Sequence, residues 1–223
     1  MKNFFMNMIN KPHMARRIIF CVISVCMMGV CIYWLDRLAW GTDPYSVLTI
    51  ALARMTGISL GTIQAIYNSV ILILVLIMGK EQIGLGTVFN MFLVGYSYNF
   101  MGFVMDKIGV DYHFPKISFG EGFNAGDFAW NVAAMLILLV IFVISVATYM
   151  SVELGAAPYD AMSKIVFLKQ KKLPFRAVRI IWDTVFTLIG VLFGGTLGAV
   201  TVLAALTIGP AAEFIEVKIK KFL

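Results

Sequence analysis

Charge is what this sequence has least of. Asp, Glu, Lys and Arg together make up 13% of its 223 residues, where a soluble domain carries about 25%. So little charge could not cover the surface of a water-soluble fold of this length. Histidine occurs only twice. Cysteine is confined to Cys21, Cys26 and Cys31, and a spacing of five turns each about 140° from the last around a helix. The three neither pair with one another nor form a metal-ligand face. There is no H-E-x-x-H, no phosphate-binding Walker loop and no Cys/His cluster of metal spacing. The one hydrolase-like match, G-x-S-x-G at 57–61, has no strand before it and reads as two glycines at a helix break. No enzyme, cofactor or metal is expected from these absences.

What the chain does have is apolar length. Hydrophobic residues make up 61% of it, and they come in runs of about 20, the number needed to cross the hydrocarbon of a bilayer. Six such spans are expected: 18–40, 60–79, 83–105, 130–152, 177–193 and 197–217. An arm at 1–17 precedes them, a loop at 106–129 divides them and a basic tail at 218–223 closes the chain. The first run is too long for a signal-peptide core and lacks a small-residue cleavage site, so it reads as a retained span. The net charge of +6 lies between the apolar runs rather than on one face, which excludes a nucleic-acid surface and fits the positive-inside rule. With the N-terminus in the cytoplasm, the arm, Lys80, the 164–176 cluster and the C-terminal lysines all fall inside. The acidic 106–129 loop falls outside, its aromatics suited to packing at the membrane surface.

Two short stretches organise the rest. Gly41-Thr42-Asp43-Pro44-Tyr45 and Gly155-Ala156-Ala157-Pro158-Tyr159-Asp160 each follow a span and open a helix-like run, 44–55 and 158–168, too short to cross. Their offset is 114 (155 − 41), and Gly84/Gly198, Thr87/Thr201, Gly95/Gly209 and Phe100/Phe214 keep the same register. The expectation is an all-α polytopic membrane protein of six transmembrane helices. They would form two inverted three-span repeats, 18–105 and 130–217, each with a short re-entrant or interfacial helix after its first span. Three crossings per repeat force the inversion. Re-entrant helix N-termini would suit a small anion or polar ligand.

The runs GTDPYSVL at 41–48, TGISLGT at 56–62, GLGTVFNMFLVG at 84–95 and ELGAAPYDAM at 153–162 resemble the YczE/YyaS/YitT-type family of bacterial integral membrane proteins. The resemblance covers nearly the whole chain apart from the arm, the 106–129 loop and the tail. It implies a multi-pass protein of the bacterial inner membrane, and neither activity nor mechanism. The positions that match are Asp43, Pro44, Tyr45, Thr87, Asn90, Pro158, Tyr159 and Asp160.

Polar groups inside a membrane draw attention because leaving them unpaired is costly. Asp183 follows Arg179 by four, so the two either pair on one helix face or form part of a solute path. Asn68, Asn90 and Asn99 are interhelical hydrogen-bonders or cavity lining. Asp43 is a helix cap, and Asp160 an interfacial partner of the basic cluster, unless either lines a site. Tyr45 and Tyr159 are anchors or plugs beneath the short helices. The reading is a transporter or channel for a small solute, with Asp43, Tyr45, Thr87, Asn90, Tyr159, Asp160 and Asp183 at the site and Gly41, Pro44, Gly155 and Pro158 setting the short-helix N-termini. The alternative is a non-transporting accessory or regulatory membrane protein. The partners expected are the lipid bilayer, a small solute, and a protein partner or second copy of the chain.

Overall fold

The computed structural model describes residues 12–117, 124–170 and 172–219. Lys2 and Lys11 of the arm, Phe119, Glu121 and Phe123 of the loop, and Lys171, Lys220 and Lys221 lie outside them. The described residues form eight α-helices and no strands: α1 (Met14–Leu38), α2 (Pro44–Thr56), α3 (Leu60–Gly79), α4 (Leu85–Lys107), α5 (Ala125–Ser151), α6 (Pro158–Gln170), α7 (Phe175–Leu192) and α8 (Ala199–Ile219).

Local chemistry sets the helix ends. Asp43, extended as the residue before a proline, caps α2 by accepting from the Ser46 amide at 3.2 Å, and Pro44 takes the first helical position. Gly57 closes α2 in the left-handed conformation, its N–H on the Ala53 carbonyl. Helix α5 starts at Ala125, ahead of the apolar run expected from residue 130. The Asn124 side chain accepts from the Gly126 and Asp127 amides and adds more than a turn outside the hydrophobic stretch.

Helices α1, α3, α4 and α5 are long and apolar enough to cross a membrane. Helix α7 has 18 residues but carries Arg176, Arg179 and Asp183, and α8 contributes a shorter apolar stretch, Ala199–Ile208. Ile66, Val70, Ile73 and Ile77 stand exposed along one face of α3, and Ile137, Val140 and Ile144 along one face of α5. Each such side chain left in water forgoes about 1.5–3 kcal/mol of burial, so these faces belong against lipid tails. The chain is a multi-pass helical membrane protein.

Helix α1 packs against α4 and α5, α5 against α8, and α3 against α4. A core of Cys21, Val25, Ile32, Val94, Phe142 and Tyr149 fills the space among the long helices. The short helices cross over: α2 lies on α7 and α6 lies on α3. Their far ends reach opposite ends of the bundle. At one, Arg54 of α2 holds Asp36 of α1 at 2.6 Å, and the Tyr98 hydroxyl of α4 donates to the same carboxylate at 2.7 Å. The loop folds back onto this end through Arg37–Asp111 at 2.9 Å and the Trp130 indole on the Tyr112 hydroxyl at 2.9 Å. At the other end, Arg17 of α1 donates to the Val152 carbonyl at 2.9 Å, and Ile165 of α6 covers Gly79 at the end of α3.

Two backbone crossings join the parts. Gly84 lies directly on the Leu154 carbonyl, with no room for a Cβ, and the Gly86 N–H donates to that carbonyl at 2.7 Å. Gly198 lies in the same way on the Trp40 carbonyl, which accepts from the Val200 N–H at 3.0 Å. Every residue of the second crossing stands 114 positions (198 − 84) from its counterpart in the first. Gly41 and Gly155, with φ of +88° and +105°, turn the chain at these crossings, in a region of backbone space that a Cβ disfavours.

Candidate functional site

The two short helices begin at one place. Tyr45 and Tyr159 are the second residues of α2 and α6, and their rings lie 5.2 Å apart. Tyr159 also touches Trp182 and Phe186 of α7, at 5.8 and 5.2 Å, while Tyr45 meets Tyr67 of α3 at 5.8 Å. The helices are therefore not laid flat on opposite faces. Both start inside the bundle and run apart.

A charged network surrounds that origin. The Arg179 guanidinium donates through Nη1 to Asp160 Oδ1 at 2.5 Å and through Nε to Asp183 Oδ2 at 3.1 Å. The Tyr159 hydroxyl donates to Asp183 Oδ1 at 2.7 Å, and the guanidinium sits 5.3 Å over the Tyr159 ring. Asp183 is thus held by two donors of different kinds. Asp43 is not. Its Oδ2 takes the Ser46 amide, its Oδ1 closes no well-formed hydrogen bond although the Ser46 hydroxyl lies nearby, and the residue is 8% exposed. Three carboxylates line one cavity, and the Arg179 guanidinium bridges two of them, Asp160 and Asp183, but not Asp43.

A cavity of about 70 Å³ opens among these groups. Met28 and Ile32 of α1, Asn68 of α3, Asn90 of α4 and Phe142 and Tyr149 of α5 complete its wall. One water needs about 10–15 Å³ by the same measure, so the space takes on the order of five water-sized groups. A second hollow, of about 10 Å³ beside Asp36, Gly41 and Arg54, has room for no more than a water.

Of the residues singled out in the sequence, Asp43, Tyr45, Asn90, Tyr159, Asp160 and Asp183 line the cavity, as does Pro44. Thr87 does not. Its hydroxyl donates to the Ala156 carbonyl at 2.7 Å and accepts from the Gly84 amide at 2.9 Å, which ties the first backbone crossing together. Gly41 and Gly155 serve the crossings, and Pro158 is buried behind the wall. The sequence pairs Asp183 with Arg179, and the structure keeps that pair. Asp160 differs. It shares a helix face with Lys164 in the sequence, yet its partner is Arg179, which α7 carries into the bundle. Arg179 and Asn68, read from the sequence as a pair partner or solute path and as hydrogen-bonder or cavity lining, line the cavity, and so do Ser46 and Tyr149, which the sequence does not single out. A charge within an apolar run was the available signal for Arg179. The Tyr149 hydroxyl, bonded to the Gly155 carbonyl at 3.0 Å, gave none. The short-helix N-termini, read from the sequence as suited to a small anion or polar ligand, carry the carboxylates of Asp43 and Asp160.

Among the described residues no group of three His, Cys, Asp or Glu side chains is placed to hold a metal ion. Ser59 of the G-x-S-x-G match bonds to Thr62 at the start of α3, and Cys21, Cys26 and Cys31 are free thiols.

A family model described as a family of unknown function, DUF6198, matches residues 15–217. No curated protein and no solved structure matches the chain.

Proposed function

The chain belongs to the DUF6198 family, whose description assigns no activity, and from its site we propose that it is a transporter or channel for a small solute held between its two halves. The observation that carries this reading is the shared origin of α2 and α6. Two non-spanning helices start at one cavity lined by polar groups from both halves. Helices that stop inside a membrane leave backbone groups needing partners, and such helices survive where they are buried in protein or line a cavity. Secondary transporters place their sites at the interface of repeats, beside discontinuous helices.

The same proposal takes α7 and α8 as the fifth and sixth spans and the two halves as inverted repeats. The matched crossings at Gly84 and Gly198 support the repeat, and the opposite directions of α2 and α6 support the inversion. Both termini are then cytoplasmic, in a bacterial inner membrane, as the charge pattern and the resemblance to the YczE/YyaS/YitT-type family imply. A single cysteine at Lys116, in a background without Cys21, Cys26 and Cys31, should react with an impermeant maleimide in intact cells. One at Lys172 should react only after lysis, and the opposite pattern would overturn the orientation.

Transport itself is tested in proteoliposomes by osmotic swelling with a panel of small neutral, anionic and cationic solutes. Wild type should accelerate the entry of at least one, and Asn90→Trp, which fills the cavity from α4, should abolish that acceleration. No acceleration for any solute, together with stoichiometric co-purification of another membrane protein, would favour the accessory reading instead.

A further inference from the structure

We infer that the cavity at Asp43 binds a small organic monocation, an ammonium no larger than tetramethylammonium. The inference rests on the reading of the cavity as a solute site and names the class of solute. Asp43 is the central observation: a carboxylate more than nine-tenths buried, lining the cavity, whose Oδ1 closes no well-formed hydrogen bond and which has only the neutral Ser46 amide and hydroxyl beside it. Arg179, the one Lys, Arg or His among the described residues that line the cavity, is engaged by Asp160 and Asp183. A buried carboxylate without a counter-charge is strongly unfavourable, so the cavity calls for a cation from outside the protein.

The remaining wall narrows the kind of cation. Asn68 Oδ1, on a residue 1% exposed, is a second acceptor without a partner. The rings of Tyr45, Tyr149 and Tyr159 supply faces that attract positive charge, and Tyr159 already carries a guanidinium on its ring. Much of the rest is apolar: Met28, Ile32, Val94, Phe142 and Val146. Among the described residues no three His, Cys, Asp or Glu side chains are placed to hold a metal ion, and the aromatic and apolar share of the wall offers a hard, oxygen-seeking ion nothing. A cation of low charge density, with N–H or N-methyl groups, meets a carboxylate, a carbonyl oxygen and aromatic faces together. The size agrees, since space for on the order of five water-sized groups matches the range from methylammonium to tetramethylammonium.

The test is calorimetric titration of the purified protein with methylammonium, trimethylammonium and tetramethylammonium chloride, with potassium chloride and sodium acetate as controls. At least one ammonium should bind saturably and acetate should not. Asp43→Asn keeps the helix cap and removes the charge. It should weaken binding on the order of tenfold or more, the scale of a lost charge-assisted contact, with an unchanged melting temperature, and Asp43→Glu should retain binding. Should Asp43→Asn not fold, Asn68→Leu should lower the affinity several-fold. Absence of saturable ammonium binding at tens of millimolar, competition by acetate, or unchanged affinity in a folded Asp43→Asn protein would each overturn the inference. Uptake of the radiolabelled ammonium into proteoliposomes separates the two levels. Binding without uptake upholds the cation site and removes the transport reading. Passage of a neutral or anionic solute without ammonium binding does the reverse.

Discussion

Tyr45 and Tyr159 lie ring to ring at 5.2 Å although 114 residues (159 − 45) separate them in the chain. They hold equivalent positions on their helices, yet their hydroxyls are not equivalent. That of Tyr159 donates to Asp183, whereas that of Tyr45 lies beside the Asn68 amide without closing a well-formed hydrogen bond. Tyr159→Phe should therefore cost about 1–3 kcal/mol, as hydrogen bonds to charged groups do, and Tyr45→Phe close to nothing. Thermal denaturation in detergent measures both, and equal losses would contradict the assignment.

Arg179 joins two carboxylates on different helices, Asp160 of α6 and Asp183 of its own α7. Removing it leaves the buried Asp183 and the partly exposed Asp160 without their counter-charge. Arg179→Ala should destabilise the protein by about 3–5 kcal/mol, the range for breaking a buried ion pair from one side. Arg179→Lys should recover only part of this, because an ammonium lacks the planar fork that reaches both acids. Full recovery with lysine in a melting experiment would show that a point charge is enough.

The backbone crossings predict a pair of matched effects. Gly84→Ala and Gly198→Ala each push a methyl group into a carbonyl, of Leu154 and Trp40 respectively. Each should cost about 1–3 kcal/mol or more, as overpacking does. Gly102→Ala on α4 would meet only the Tyr33 ring at an ordinary 3.4 Å, and helix propensity should make it neutral or stabilising by up to about 1 kcal/mol. Yields of folded, monodisperse protein by size-exclusion chromatography should rank the three variants in that way.

Thr87 and Thr201 match in sequence and differ in bonding. The Thr87 hydroxyl makes two hydrogen bonds across the first crossing, while the Thr201 hydroxyl is buried without a partner at the second. Thr87→Val should cost about 1–3 kcal/mol, and Thr201→Val should be neutral or stabilising, since an apolar group replaces an unsatisfied one. If chemical denaturation ranks the two variants the other way, the second crossing is bonded differently from this structure.

Much of the local architecture could be read from residue order alone. Pro44 after Asp43 marks a helix start and Gly57 a helix end, and the glycine matches at one offset fall at the two backbone crossings. Arg179 and Asp183 were legible together because four residues on a helix put them on one face. The meeting of Asp43 with the Arg179 network was not legible. It depends on α2 lying against α7 and α6 against α3, and nothing in a span's composition says which neighbour it takes. Thr87 shows the converse: a repeated polar residue inside a membrane suggested a ligand, and the backbone of the other half was its partner. Helix α5 starts ahead of the apolar run because hydropathy marks where lipid begins, while a side-chain cap decides where the helix begins.

The crossed seating of the short helices also constrains how the protein is made. Helix α2 leaves the ribosome well before α7, the helix against which it packs, and α6 closes onto α3 only after the middle of the chain has emerged. The first half therefore cannot finish on its own, however well its long helices insert. Until α7 arrives, Asp43 and the start of α2 lack the wall that encloses them, so chains released before that point should be left to the cell's quality-control proteases.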